Sequence, residues 1–336
     1  MKILIAHRFT EEQLARLRAV APNITLAQKT FDGASANDPA ALFDGDEEIF
    51  YGFIPPRDLA RAPRLKWAQL LSAGVNRLQD HPLVNTNILI TNSSGIHAIP
   101  IGEFSIALLR ALARRVPRLL HFQTRAEWAR QAFRDLRGVE LHGKTIGVIG
   151  YGSIGRHAAR IAKNGFQMRV LALTRTGVKQ DRGYIEAGTG DPRGEIPDAW
   201  FTPAQTRDLL AQSDFVLVAA PLTNESRGMI GENELRAMKA SAFIVNIARG
   251  EIIDERALIR ALKENWIAGA GLDVFAHEPL PQESELWAME NVILSPHVSA
   301  ATPHYNDRAL ALFAENLRRY IGGEELLNLV SKENGY

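Results

Sequence analysis

The segment Gly150-Tyr151-Gly152-Ser153-Ile154-Gly155 constrains the fold more than any other stretch of this 336-residue chain. Alone, a G-x-G-x-x-G pattern is a weak signal. Here it follows an apolar run, Thr145–Ile149, and opens a helical pattern, Ser153–Lys163, whose Ala159 and Ala162 suit close packing. Strand, tight glycine turn and helix in that order begin a βαβ unit. Gly150 permits the turn, Gly152 lets the backbone approach a pyrophosphate, and Gly155 lets the helix pack on the strand. The helix N-terminus adds unpaired amides and a partial positive charge. The context favours a dinucleotide site formed by Gly150, Tyr151, Gly152, Ser153, Ile154 and Gly155 over a glycine-rich turn with no ligand.

The rest of the chain repeats the alternation. Candidate strands are Lys2–Ala6, Ile24–Ala27, Glu48–Tyr51, Trp67–Leu71 and Ile88–Thr91. A second series runs through Thr145–Ile149, Met168–Leu173, Phe215–Ala219, Phe243–Ile247, Ala268–Leu272 and Val292–Leu294. Between them lie helical patterns. Thr10-Glu11-Glu12-Gln13 reads as a capping box ahead of Leu14 and Leu17, and Asp254 caps a run carrying Leu258 and Leu262. Strands alternating with helices imply parallel sheets covered on both faces, and two series imply two α/β domains. The apolar stretch Ile99–Phe122 reads as one helix joining them. Gly177–Ala199, rich in Gly, Asp and Pro without a period, reads as a surface excursion after a strand.

Charge and composition exclude other classes. With 39 Lys and Arg against 38 Asp and Glu, the net charge is +1, without the basic excess expected of a nucleic-acid or membrane-surface protein. The chain has no cysteine, which excludes disulfides, thiolate nucleophiles and Cys-ligated metals and fits a reducing compartment. No apolar run approaches the roughly 18–20 residues of a membrane span, and Met1–Arg8 is too short in apolar residues for a signal peptide. The expectation is a cytoplasmic protein with no metal site, no nucleic-acid partner and no membrane partner.

The end of the strand after the glycine turn selects the dinucleotide. An NAD site places Asp or Glu about 20 residues on, against the ribose 2′-hydroxyl. Here Thr174, Arg175 and Thr176 stand instead. An acid would repel a 2′-phosphate. Arg175 can pair with one, and the threonines can donate hydrogen bonds. The expectation is NADP(H) preferred, with NAD(H) still accepted. The alternative is a solvated turn arginine.

Three further segments end candidate strands: Val245-Asn246-Ile247-Ala248-Arg249-Gly250, Gly271-Leu272-Asp273-Val274-Phe275-Ala276-His277-Glu278-Pro279 and Ser295-Pro296-His297-Val298-Ser299. In an open parallel sheet, ligands bind beyond the strand C-termini. Taken singly, Arg249, Glu278 and His297 would each be read as ordinary loop residues. With the glycine turn, and with Ser72-Ala73-Gly74-Val75-Asn76, Thr91-Asn92-Ser93-Ser94-Gly95, Pro221-Leu222-Thr223 and the Leu286-Trp287 to Asn291-Val292 stretch, the chain resembles the D-isomer-specific 2-hydroxyacid dehydrogenase family over nearly its whole length.

The resemblance implies two flavodoxin- or Rossmann-like domains with parallel sheets and the active site in the cleft between them. Residues 99–302 would form the dinucleotide-binding domain, inserted into a substrate domain of residues 1–98 and 303–336. It also implies a homodimer, with the long helix starting near Ile99 in the interface. The reaction implied is reduction of a small 2-oxoacid, glyoxylate- or hydroxypyruvate-like, to the D-2-hydroxyacid. His297 would be the general acid; its ordinary pKa of about 6.5 suits the task. Glu278 would orient it and favour the imidazolium. Arg249 would bind the substrate carboxylate and polarise the carbonyl, with the Ala73 and Gly74 amides as further substrate contacts. Pro221, Ile247 and Asp273 would lie along the cofactor. His277, His304 and His97 carry no implied role, and Phe53 would either narrow the substrate pocket or pack in the core. Relatives that oxidise formate carry a Gln–His pair, which counts against that activity here. Phosphite oxidation is compatible with the triad. A corepressor-like dinucleotide sensor is disfavoured by the short termini and balanced charge.

Overall fold

The computed structural model describes residues 1–30, 39–75, 78, 80–128, 130, 133–134, 136–175, 177, 179–181 and 183–332. Thr176, expected at the cofactor, lies outside the described residues. The chain divides into two compact units: Met1–Ile96, Arg182–Glu186 and Thr302–Tyr336 form the first, and His97–Asp181 with Ala187–Ala301 form the second.

The first unit carries strands β1 (Lys2–Ile5), β2 (Thr25–Gln28), β3 (Ile49–Gly52), β4 (Trp67–Leu70) and β5 (Leu89–Thr91). They pair in parallel in the order β2-β1-β3-β4-β5, a flavodoxin-like sheet. Strand alternation sends successive side chains to opposite faces. Ile3, Ile5, Tyr51 and Trp67 therefore join one core with Leu14 and Leu17, while Leu4, Phe50 and Leu70 join the other. The first helix, α1 (Glu11–Val20), starts at Thr10 with the expected capping box: Thr10 Oγ1 accepts from the Gln13 amide and Gln13 Oε1 accepts from the Thr10 amide. The chain returns to this unit with a C-terminal helix over Tyr305–Gly322. That helix is bonded into the sheet by a fully buried network. Asn316 donates to Gln69 Oε1, which also accepts from Thr91, and Thr91 in turn accepts from the Trp67 indole.

The second unit is a seven-stranded parallel sheet. Its strands are β6 (Thr145–Ile149), β7 (Arg169–Leu173), β8 (Ala199–Phe201), β9 (Phe215–Val218), β10 (Phe243–Asn246), β11 (Gly269–Leu272) and β12 (Val292–Leu294), in the order β12-β11-β10-β9-β6-β7-β8. One face is covered by α2 (Ala98–Ala113) and α4 (Ser153–Phe166). The other is covered by α5 (Thr206–Gln212), α6 (Glu232–Ala237) and α7 (Glu255–Lys263). From β6 the chain steps outward through β7 to β8, then returns to β9 and steps the other way. The topological switch point therefore lies between β6 and β9, where open α/β sheets bind ligands. Asp254 caps α7 as expected, accepting from the Ala257 amide.

Two sequence expectations need correction. The stretch Ile99–Phe122 is not one helix. It breaks at Arg114 and Arg115 into α2 and α3 (Val116–Thr124), with Arg115 in the left-handed region at φ 58°. Pro117 has no amide to donate, and its ring would clash with the carbonyl of Ala113 in a continuous helix. That carbonyl accepts from the Val139 amide instead. The excursion Gly177–Ala199 is not simply surface chain. Asp191 is 5% exposed and accepts from the Tyr151 hydroxyl and the Glu195 and Ile196 amides, while Arg156 of α4 donates to its carbonyl. The excursion leads into β8, a strand the sequence reading missed.

Candidate active site

The glycine turn follows β6 and opens α4, as its spacing predicts. Gly150 sits at φ 93°, and a Cβ there would strike the backbone of Ala219 and Ala220 beyond β9. A Cβ on Gly155 would strike the Gly150 carbonyl. Gly152 differs: its φ of −86° and ψ of −165° suit any residue, and a Cβ there meets nothing within 4 Å. Nothing in the protein's own packing requires glycine at that position, so the open space in front of it is a cradle of the kind a pyrophosphate occupies. No side chain caps α4, which leaves its N-terminal turn free to face an anion. On these grounds the residues present fit a dinucleotide. The Tyr151 side chain is 4% exposed, set edge-on to Trp200 and bonded to Asp191. Burial, and then the Asp191 carboxylate, push its phenol well above the ordinary range, so it stays a neutral donor. Only the backbone of Tyr151 is left to meet a ligand.

The other expected residues end neighbouring strands of the same parallel sheet. Thr174 and Arg175 follow β7. The Thr174 amide donates to the Phe201 carbonyl of β8, and its hydroxyl accepts from the Gly177 amide. Pro221 follows β9, and Ile247, 5% exposed, extends β10 by donating to Val218. From β10 to β7 there are three interstrand steps, about 14 Å, which gives this rim the span of an extended dinucleotide.

Arg249, Glu278 and His297 follow β10, β11 and β12, which are adjacent. His297 Nδ1 lies 2.8 Å from Glu278 Oε2, and Glu278 Oε1 accepts from the Phe275 amide at 3.1 Å. The carboxylate is thus fixed by its own loop while it holds the imidazole. With Nδ1 engaged, Nε2 is the ring atom left for a substrate, and both side chains remain partly exposed. Arg249 Nη1 donates to Ala248 O. The Asn246 side chain shapes the turn, donating to Arg249 O and accepting from the Ala248 amide. Gly250 lies flat on the Phe275–Ala276 backbone, where a Cβ would collide. That contact ties the Arg249 turn to the Glu278 loop.

Asp273 does something the sequence did not suggest. It is completely buried. Its Oδ1 accepts from Ser295 Oγ at 2.7 Å and the Val298 amide at 2.9 Å, and its Oδ2 accepts from the Ser299 amide at 3.0 Å. These donors flank His297, whose φ of 55° is uncommon for a residue with a side chain. The carboxylate therefore holds the turn that presents the imidazole.

In the first unit, Ala73 and Gly74 lie on the turn after β4, where Ser72 Oγ donates to Gly74 O. Phe53, beyond β3, is 49% exposed and stands edge-on to His7. It is a rim residue of that sheet, not a core residue.

Residues 106–299 match the family model described as D-isomer specific 2-hydroxyacid dehydrogenase, NAD binding domain. A glyoxylate reductase of Thermococcus gammatolerans is 41% identical over 276 residues, covering 81% of this chain and 78% of that protein. A glyoxylate reductase of Pyrococcus furiosus is 38% identical over 292 residues, covering 86% and 80%. A crystal structure of a D-isomer specific 2-hydroxyacid dehydrogenase from Xanthobacter autotrophicus Py2, in complex with NADPH and MES, aligns with TM-score 0.77 and 28% identity over 100% of this chain and 99% of that one. With the glycine turn, the two parallel sheets and the Glu278–His297 pair, these matches establish that the chain belongs to the D-isomer specific 2-hydroxyacid dehydrogenase family.

Proposed function

We propose that this enzyme reduces a small 2-oxoacid of the glyoxylate or hydroxypyruvate type to the D-2-hydroxyacid, using NADPH in preference to NADH. When bound, a reduced nicotinamide would supply the hydride for the carbonyl carbon. His297 Nε2 donates the proton to the carbonyl oxygen and takes it back in the oxidative direction. Glu278 holds Nδ1 and compensates the imidazolium charge. Arg249, a planar fork, pairs with the substrate carboxylate and polarises the carbonyl. Ala73 and Gly74 contribute backbone amides to the substrate. Gly150 to Gly155 take the pyrophosphate, Pro221 and Ile247 line the cofactor, and Thr174 and Arg175 take the ribose 2′-phosphate. The observation that carries the reading is the 2.8 Å contact between His297 Nδ1 and Glu278, which leaves Nε2 as the ring atom available to exchange a proton with a substrate. The 2′-phosphate preference is supported by Arg175 and by the absence of an acid from Thr174 and Arg175. We propose also that the enzyme is a homodimer. The exposed Leu119, Leu120, Trp128 and Phe133 of the second unit supply apolar surface for a second copy, and sedimentation tests this.

The deciding experiment is an initial-rate panel of 2-oxoacids with NADPH and NADH in parallel. Turnover of glyoxylate or hydroxypyruvate with higher kcat/KM for NADPH is expected. Equal kcat/KM for the two cofactors would refute the preference. NADP+-dependent phosphite oxidation without 2-oxoacid reduction would refute the substrate class.

A further inference from the structure

Arg175 does not meet the site alone. Its Nη1 lies 3.6 Å from Glu225 Oε2, with the two side chains 40% and 71% exposed. Arg175 follows β7 and Glu225 follows β9, and in the sheet these strands flank β6. The ion pair therefore reaches across the end of the strand that carries the glycine turn. Glu225 is held there by a stiff turn. The Thr223 amide donates to Ser226 Oγ at 2.8 Å, the Ser226 amide donates to Thr223 Oγ1 at 3.2 Å, and Ser226 Oγ donates to Pro221 O at 2.7 Å. Ser226 is buried, so Glu225 projects from a fixed base.

We propose that Glu225 sets the dinucleotide selectivity of this site by competing with a ribose 2′-phosphate for Arg175. The inference rests on the proposed role of Arg175 in the cofactor site. A phosphate that takes Arg175 as counter-ion must share it with the carboxylate or displace it, and it also meets the carboxylate's like charge. A cofactor ending in a 2′-hydroxyl meets neither penalty, and the hydroxyl can donate to the carboxylate. Glu225 thus restores, from a different strand, part of the acidic recognition that the end of β7 lacks. An enzyme with Arg175 alone would discriminate sharply for the phosphate; this pair narrows the difference. The exposed pair is screened by solvent, so the effect is modest and salt-dependent.

The test is calorimetric titration of the full chain with 2′,5′-ADP and with 5′-AMP, which differ only in the 2′-phosphate, above about pH 7 where a phosphate monoester is mostly dianionic. The readout is the ratio of the two affinities, which a general change in stability does not move. Glu225→Gln is expected to raise the ratio in favour of 2′,5′-ADP by about three- to tenfold, as expected for removing one like charge at a screened site. Glu225→Asp, which keeps the charge, stays close to wild type. Arg175→Gln lowers the ratio, and raising the salt shrinks the gain of Glu225→Gln. If Arg175→Gln lowers the ratio and Glu225→Gln leaves it unchanged, the proposal fails while the cofactor reading stands. If Arg175→Gln leaves the ratio unchanged, both fail. Equal tightening of the two ligands by Glu225→Gln would show a diffuse charge effect and overturn the proposal.

Discussion

Replacing Gly152 with alanine separates ligand binding from folding within a single turn. The backbone at Gly152 suits alanine, and the added methyl meets no atom of the protein within 4 Å. Removing the conformational freedom of glycine from the unfolded chain should then stabilise the protein by about 0.4–1 kcal/mol. In a unit of this size, a gain of about 1 kcal/mol raises Tm by roughly 2–4 °C. The same methyl occupies the space assigned to the pyrophosphate. Forcing a methyl into a filled site costs about 1–3 kcal/mol, which corresponds to a loss of roughly 5- to 150-fold in NADPH affinity. Thermal unfolding without cofactor reads the first effect, and titration of NADPH reads the second. Gly150→Ala is the control: at φ 93°, with its Cβ driven into the Ala219–Ala220 backbone, it should lose stability. If Gly152→Ala binds NADPH like wild type, the open space at Gly152 is not a phosphate cradle and the argument from unneeded glycine fails. If it unfolds like Gly150→Ala, the folded turn needs glycine at position 152 for its own packing.

His297→Ala should lower kcat by about 10²- to 10⁴-fold while leaving dinucleotide affinity near wild type; stopped turnover assays and NADPH titration check both halves. Asp273→Asn replaces one of two acceptor oxygens with a donor that faces Ser295 or a backbone amide. It should destabilise the protein by about 1–3 kcal/mol in denaturant titration and lower kcat by loosening the turn at His297. Asp214 is one contributor to acid sensitivity: burial alone would raise its pKa, but the Lys239 ion pair and the Thr145 amide overcome that and hold it below the ordinary value. A depressed carboxylate contributes stability that is present above its unfolded pKa of about 3.9 and lost as pH falls through the folded value. Melting followed from neutral pH to below about pH 4 should therefore show a steeper acid loss for wild type than for Asp214→Asn, and identical slopes would refute the assignment.

The glycine turn was legible because it stands between an apolar run and a helical pattern; Arg249, Glu278 and His297, loop residues when taken singly, were singled out by the resemblance, and the sheet places them after the adjacent strands β10, β11 and β12. Other features left no such trace. Strand β8 has only three residues, all half-buried, after a stretch of Gly, Asp and Pro, so no periodicity marks it. The helix break at Arg115 depends on Pro117 and on Val139 claiming a carbonyl far along the chain. The Tyr151–Asp191 hydrogen bond joins residues 40 apart through an aperiodic segment. Glu225 follows a recognisable Pro-Leu-Thr segment, but its pairing with Arg175 depends on β6 being inserted between β7 and β9, and strand order is not written in local sequence. Asp273, which the resemblance places along the cofactor, also accepts from Ser295, Val298 and Ser299, and nothing in the local sequence announces that support of the His297 turn.

That last case bears on how catalysis is built here. Four positions on the rim of the second unit are fixed by hydrogen bonds from neighbouring residues. Glu278 is held by the Phe275 amide, the His297 turn by Asp273, the Arg249 turn by Asn246, and the Glu225 turn by Ser226. Each support is buried or half-buried, and each offers the rim one face only. The exposed partners, Arg175 with Glu225 and His297 with Glu278, are then the groups free to exchange one partner for a ligand at small cost. In the proposed reading, selectivity and proton transfer would therefore sit on weakly shielded ion pairs, with precision coming from the shielded hydrogen bonds beneath them. A substitution in the lower layer should alter geometry, and with it kcat, across all substrates. A substitution in the upper layer should alter the preference for one charge over another.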